Sequence, residues 1–125
     1  MGHSDRLVIA DGNFPVMSMG KNAQIIRMDG HGVLEILDAI LRVFPLDTYI
    51  EKPVNLMEVM PGDNVQTPIW DVYKKTVEKY DERGKNAIGE IERFKFYEET
   101  KTAYAVIATS EKALYANIML QKGVV

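Results

Sequence analysis

The sequence predicts one α/β domain in three layers, α/β/α, with helices on both faces of a mostly parallel, mixed central sheet. Two observations carry this. Short β-branched, apolar runs alternate with stretches of helical periodicity along the whole chain, and most of them close on Gly, Pro, Asn or Asp. The 125 residues, 46% hydrophobic and 26% charged, suffice for a single buried core, with no internal repeat or low-complexity break.

Arg6 to Ala10 is an apolar strand that runs into the turn Asp11-Gly12-Asn13. Pro15 has no amide donor and constrains Phe14, so residues 15–22 are expected as a loop. Gln24 to Arg27 is a second strand, closed by Asp29-Gly30. Val33, Leu34, Leu37, Ile40, Leu41 and Phe44 recur at helical spacing, with Glu35, Asp38 and Arg42 on the other side, until Pro45 stops the helix. Asn55 to Val59 is a third strand, before a turn at Pro61-Gly62-Asp63-Asn64. Thr67 and Pro68 supply a hydroxyl cap and a proline at the first helical position. Ile69, Val72, Tyr73, Thr76, Val77 and Tyr80 form the stripe of that helix, and Asp81 to Asn86 is an exposed connection. Phe94 to Lys101 reads as a short helix, although Arg93 to Phe96 also alternates as a strand would. Ala103 to Ala108 is a buried strand, Ser110 to Lys112 a turn, and Tyr115 to Leu120 a further β-rich stretch.

The net charge of −3 and a pI near 5.4 give no basic footprint for nucleic acid or an anionic membrane. With no cysteine, thiolate catalysis, disulfides and cysteine-bound metal are excluded. His3, Asp5, Asp11, Asp29 and His31 fit no compact metal motif. Gly30 and Gly32 do not begin a dinucleotide loop, because Glu35 stands where its third glycine belongs. No apolar run reaches the length of a membrane span and the N-terminus lacks a secretory signal, so the expected location is the cytoplasm.

Four stretches are familiar together: Met1-Gly-His-Ser-Asp5, Ile9-Ala-Asp-Gly-Asn-Phe-Pro15, Arg93-Phe-Lys-Phe-Tyr97-Glu98, and Tyr115-Ala-Asn-Ile118 with Lys122-Gly-Val124. In this order they resemble the family of L-fucose mutarotases and D-ribose pyranases over residues 1–125. The ribose branch is expected to place a histidine where this chain has Arg93, so the resemblance is to the fucose branch. It implies a single sugar mutarotase domain that opens at Met1 without the helix family members carry before Met-Gly-His. It carries the site histidine over to His3, the sugar-binding aspartate to Asp11, the binding arginine to Arg93, and the Tyr-x-Asn pair to Tyr115 and Asn117. It further implies a monosaccharide ligand such as L-fucose, no metal or organic cofactor, and a ring-stacked homo-oligomer, a decamer among the possibilities.

Exchanging sugar anomers requires removing the anomeric proton, protonating the ring oxygen, and reclosing after rotation, with no redox step. The demand is two proton carriers within hydrogen-bond reach of the sugar. His3 is expected as general acid/base because imidazole titrates near neutrality, with Asp5 or Asp11 orienting its ring. Asp11 can accept from two adjacent hydroxyls at the end of a strand, where open α/β sheets place ligands. Arg93 offers a rigid fork of donors, and the Tyr115 hydroxyl and Asn117 amide both donate and accept. If 115–117 were strand, Tyr115 and Asn117 would share a face. His31, Trp70, Tyr73 and Tyr80 are expected as surface or packing residues. Two rival functions remain: a D-ribose pyranase, and a non-catalytic sugar-binding module associated with sugar transport.

Overall fold

The computed structural model describes residues 1–19 and 22–124. The elements are β1 (Arg6–Ala10), α1 (Val16–Met19), β2 (Gln24–Met28), α2 (Val33–Leu41), β3 (Val54–Met57), α3 (Pro68–Tyr80), β4 (Ile88–Ile91), α4 (Arg93–Thr100), β5 (Ala105–Thr109) and β6 (Ile118–Gln121), with a 3₁₀ turn at Gly84–Ala87 before β4. The strands form one six-stranded sheet in the order β2-β5-β1-β6-β3-β4. β1 and β2 run parallel to β5, and β3 runs parallel to β4. Among the described residues only β6 is reversed, lying antiparallel to both β1 and β3. All other strands therefore end on one edge of the sheet, where β6 begins.

Alternation along the central strands divides the core. Leu7, Ile9, Val54, Leu56, Ile107, Ile118 and Leu120 face α2 and α3, and pack on Val33, Leu37, Tyr73 and Val77. Val8, Ala10, Met57, Val106 and Met119 face the other way, toward Phe14 and Phe96. The three expected layers are present, because a sheet buried on both faces needs helices on both sides. Among the described residues no helix is long and apolar enough to cross a membrane.

Several local expectations need correction. Residues 16–19 make one helical turn rather than loop, with Met19 N–H bonded to Pro15 C=O at 2.9 Å; part of the expected loop, residues 20–21, lies outside the described residues. α2 ends at Leu41, four residues before Pro45. Thr67 occupies the cap position of α3, with Pro68 first in the helix, but its hydroxyl makes no cap bond. Arg93–Thr100 is helix, as the Glu92 carboxylate accepts from the amides of Phe94 and Lys95 at 3.1 and 3.0 Å. β4 has no counterpart among the expected strands: Ile88-Gly-Glu-Ile91 has too little apolar pattern to declare itself, and it is held by its parallel register on β3. At Gly89 a Cβ would stand 2.8 Å from Asn55 Oδ1, so any larger residue there would have to displace that side chain.

Candidate functional site

The carboxyl edge of the sheet gathers the functional groups. β5 and β6 are separated by β1, so residues 110–117 must cross over the end of β1 to join them. Gly12 N–H bonds to Glu111 C=O at 2.9 Å, and Asp11 N–H donates to Asn117 Oδ1 at 2.7 Å. This crossing brings Tyr115 and Asn117 beside Asp11. The chain leaving β3 supplies Asp63, and the start of α4 supplies Arg93 and, one turn on, Tyr97. Together with Asn13, Phe14, Met57 and Leu114, these residues line a cavity of about 250 Å³.

Four of the five expected site residues therefore meet: Asp11, Arg93, Tyr115 and Asn117. Their geometry differs from expectation in one respect. β6 starts only at Ile118, and Tyr115 has φ 54°, so Tyr115 and Asn117 share the cavity through a tight crossover and not through strand alternation. A non-glycine residue in the left-handed region costs of order 1–3 kcal/mol and persists only when its surroundings hold it there. Here the Trp70 indole donates to the Tyr115 carbonyl at 2.8 Å, and the Tyr73 hydroxyl donates to the Ala116 carbonyl at 2.7 Å. Trp70 and Tyr73 thus pack as expected and also brace the site. The Tyr115 hydroxyl donates to the Asp63 carboxylate and accepts from Met60 N–H at 3.3 Å.

Asp11 is buried, 8% exposed, and its carboxylate accepts from Asn13 N–H at 3.0 Å. Burial raises its pKa above the ordinary value; hydrogen bonds from Asn13, Ala116 and Phe14 oppose the rise, and Glu111 adds to it. Arg93 Nε donates to Tyr97 Oη at 2.9 Å, with the guanidinium 5.6 Å from the centre of the Tyr97 ring. That contact aims the rest of the guanidinium fork and raises its pKa further. Beside Asp63, the Tyr115 phenol is also shifted upward.

His3 is the exception. Within one chain it lies at the opposite edge of the sheet, before β1, whereas Asp11 follows β1; the five residues of β1 alone span roughly 17 Å. The expectation that Asp5 or Asp11 orients its ring is also corrected. Asp5 accepts from Gly2 N–H at 2.7 Å, while His3 Nε2 meets Asp47 Oδ1 at 3.3 Å and the ring packs edge-on to Tyr49 at 5.1 Å. Asp47 is held in turn by Tyr49 N–H at 2.9 Å and Gln121 Nε2 at 3.0 Å, bonds that lower its pKa. Ser4 N–H bonds to Lys122 C=O, which fastens this segment to the end of β6. The imidazole thus rests on Asp47 and Tyr49 and faces outward, its side chain 38% exposed. His31 stands on the surface against Glu35 at 2.9 Å, as expected.

Sequence reasoning did not single out Asp63 or Tyr97. Tyr97 had a signal, its spacing of four from Arg93 on one helix face. Asp63 had none beyond its turn, because its link to Tyr115 spans 52 residues. Replacing Glu92, which caps α4 and fixes its first turn, tests how Arg93 is placed. Glu92→Ala should cost about 1 kcal/mol of unfolding free energy in denaturant titration and weaken ligand binding through Arg93.

A carboxylate, a guanidinium fork, phenols and an amide over an aromatic floor, set on the carboxyl edge of a mixed α/β sheet, form a polar cavity where sheets of this kind bind small molecules. The chain belongs to the RbsD / FucU transport protein family, whose model matches residues 1–125. It is 45% identical to the fucose mutarotase of Homo sapiens, over 99% of this chain and 82% of the relative. Its fold matches the crystal structure of FucU from Bifidobacterium longum with a TM-score of 0.98 and 66% identity, over 100% of this chain and 87% of that one. It matches the fucose mutarotase from Streptococcus pneumoniae, solved in complex with L-fucose, with a TM-score of 0.91 and 42% identity, over 100% of this chain and 86% of that one.

Proposed function

We propose that this protein is a mutarotase that exchanges the α and β anomers of L-fucose and similar pyranoses. The observation that carries the reading is the convergence of Asp11, Arg93, Tyr115 and Asn117 on one cavity, in a chain related to a mutarotase captured with L-fucose. Asp11, Arg93 and Asn117 grip the sugar oxygens. Tyr115 faces the anomeric hydroxyl, and His3 carries the proton for the ring oxygen. As His3 lies across the sheet from the cavity of its own chain, the partner subunit's His3 is the one that serves it, in a homo-oligomer; a decamer is the assembly proposed. The exposed, Asp47-anchored imidazole suits delivery to a neighbour. The cysteine-free composition suits a reducing compartment, and the cytoplasm is the location proposed.

Exchange spectroscopy by NMR tests the reaction: the protein should accelerate anomer exchange of L-fucose. Acceleration of D-ribose alone would make it a pyranase, and binding of L-fucose without exchange would make it a sugar-binding module. The shared site has its own test. His3→Ala and Tyr115→Phe should each lose exchange, and mixed oligomers of the two variants should regain part of it, since some sites then unite an intact Tyr115 with an intact His3. No recovery in proven mixed oligomers would refute a shared site.

A further inference from the structure

We propose that Asp63 acts through Tyr115 as the terminal proton acceptor of ring opening, making the phenol a two-way conduit; this rests on the mutarotase reading above. The Tyr115 hydroxyl is committed on two sides, donating to Asp63 and accepting from Met60 N–H at 3.3 Å. Its hydrogen therefore points at a carboxylate, and what its oxygen still offers the cavity is acceptor capacity. A neutral phenol is a poor base on its own. Next to the Asp63 charge it is also held from ionising, its pKa being raised chiefly by that hydrogen bond. No phenolate is then present to keep a proton taken from the sugar, so the phenol must pass its own proton on as the new one arrives.

The step balances as a relay. The anomeric O–H gives its proton to Tyr115 Oη as Tyr115 gives its own proton to Asp63. The electron pair of the O–H bond becomes the second bond of the carbonyl, the bond from the anomeric carbon to the ring oxygen breaks, and the ring oxygen takes a proton from the acid on the other side. Reclosure returns each proton along the same path, so no co-reactant is consumed. Asp63 is suited to the end of the chain because it lies on an exposed turn, open to water. Tyr115 is suited to the middle because its strained backbone is pinned by Trp70 and its hydroxyl has one fixed direction. Asp63 is a positioning residue by this account: it sets the direction of the Tyr115 hydrogen and receives it.

The test compares the full-length wild type with Asp63→Asn, Asp63→Glu, Tyr115→Phe and the Asp63→Asn/Tyr115→Phe double variant. Asp63→Asn should lower the limiting L-fucose exchange rate about 10²-fold with L-fucose affinity largely kept, Asp63→Glu should restore part of the rate, and the double variant should be no slower than Tyr115→Phe. Carbon-13 tyrosine NMR gives an arm that needs no catalysis: the Tyr115 titration should move down toward the ordinary phenol range in Asp63→Asn. An unchanged limiting rate in Asp63→Asn, a loss confined to affinity, or additive losses in the double variant would overturn the relay. An unmoved Tyr115 titration would overturn the coupling itself, whatever the enzyme does. If wild type binds L-fucose without exchanging it while the titration does move, the mutarotase reading fails and the relay falls with it, but the Asp63–Tyr115 coupling stands.

Discussion

Asp11→Asn should weaken L-fucose binding by roughly 10- to 100-fold, the loss expected for the charged acceptor proposed to meet the sugar hydroxyls, and at the same time make the protein more stable at neutral pH. The two effects have one origin. Burial raises the Asp11 pKa above 3.8, the value it would have in the unfolded chain. Between 3.8 and the raised folded value, the native state holds more proton than the unfolded state does. Stability therefore falls as pH rises through that window, and the loss persists above it. Asparagine carries no charge to desolvate, and its side-chain oxygen can still accept from Asn13 N–H. The Asp11 N–H bond to Asn117 Oδ1 is made by backbone and survives the change. Thermal unfolding followed across pH should show the melting curves of wild type and Asp11→Asn converging in acid and separating toward neutrality, with the variant higher. A variant that melts below wild type at neutral pH would mean that the Asn13, Ala116 and Phe14 hydrogen bonds outweigh burial and stabilise Asp11 in its charged form.

The second large effect is expected in the layer beneath the cavity. Phe96→Ala should cost about 3–5 kcal/mol of folding free energy, the usual penalty for emptying a buried aromatic site. Phe96 is fully buried and packs edge-on to Phe14, with ring centres 6.1 Å apart; Phe14 in turn packs against Tyr97 at 5.5 Å. Phe14 and Tyr97 both line the cavity, so the void should loosen the floor on which Arg93 rests. Against a typical domain stability of roughly 5–15 kcal/mol this is a severe loss, and it should lower the melting temperature by on the order of 15 °C. Phe96→Leu should do much less, because it refills most of the volume. Urea titration measures the free energy, and L-fucose titration of the folded fraction measures the floor. A loss near 1 kcal/mol for Phe96→Ala, far under the usual range, would show that α4 closes onto the sheet without it.

Both experiments depend on residues that differ in how plainly the sequence marks them. Asp11, Tyr115 and Asn117 were legible as site candidates only through the resemblance of the short runs that hold them to a known family; on residue type alone Tyr115 reads as a core aromatic. Arg93 was legible in the same way, through the motif it opens, and without that resemblance it reads as an exposed charge. Phe96 looked like one aromatic among several, since the Arg93-Phe-Lys-Phe96 alternation fitted strand as well as helix. Its burial follows from the Glu92 cap and from the face that α4 turns to the sheet. Asp63 and Asp47 were not legible as partners of Tyr115 and His3, because side-chain contacts between distant turns leave no local mark. β4 was silent for a related reason: four residues with one glycine form a strand only when a neighbour offers the edge.

By itself the sequence determined the layers of this protein and the alternation of strand and helix, while the kinds of group expected at the site came from its resemblance to a family. Apolar period and turn residues act over a few positions, and the chain states them directly. Only the tertiary structure decided where those groups meet. The single reversed strand, β6, sends the chain across the end of β1, and that crossing gathers Asp11, Tyr115 and Asn117 while leaving His3 on the opposite edge. Strand direction is a property of how the whole sheet packs, so no stretch of residues carries it alone.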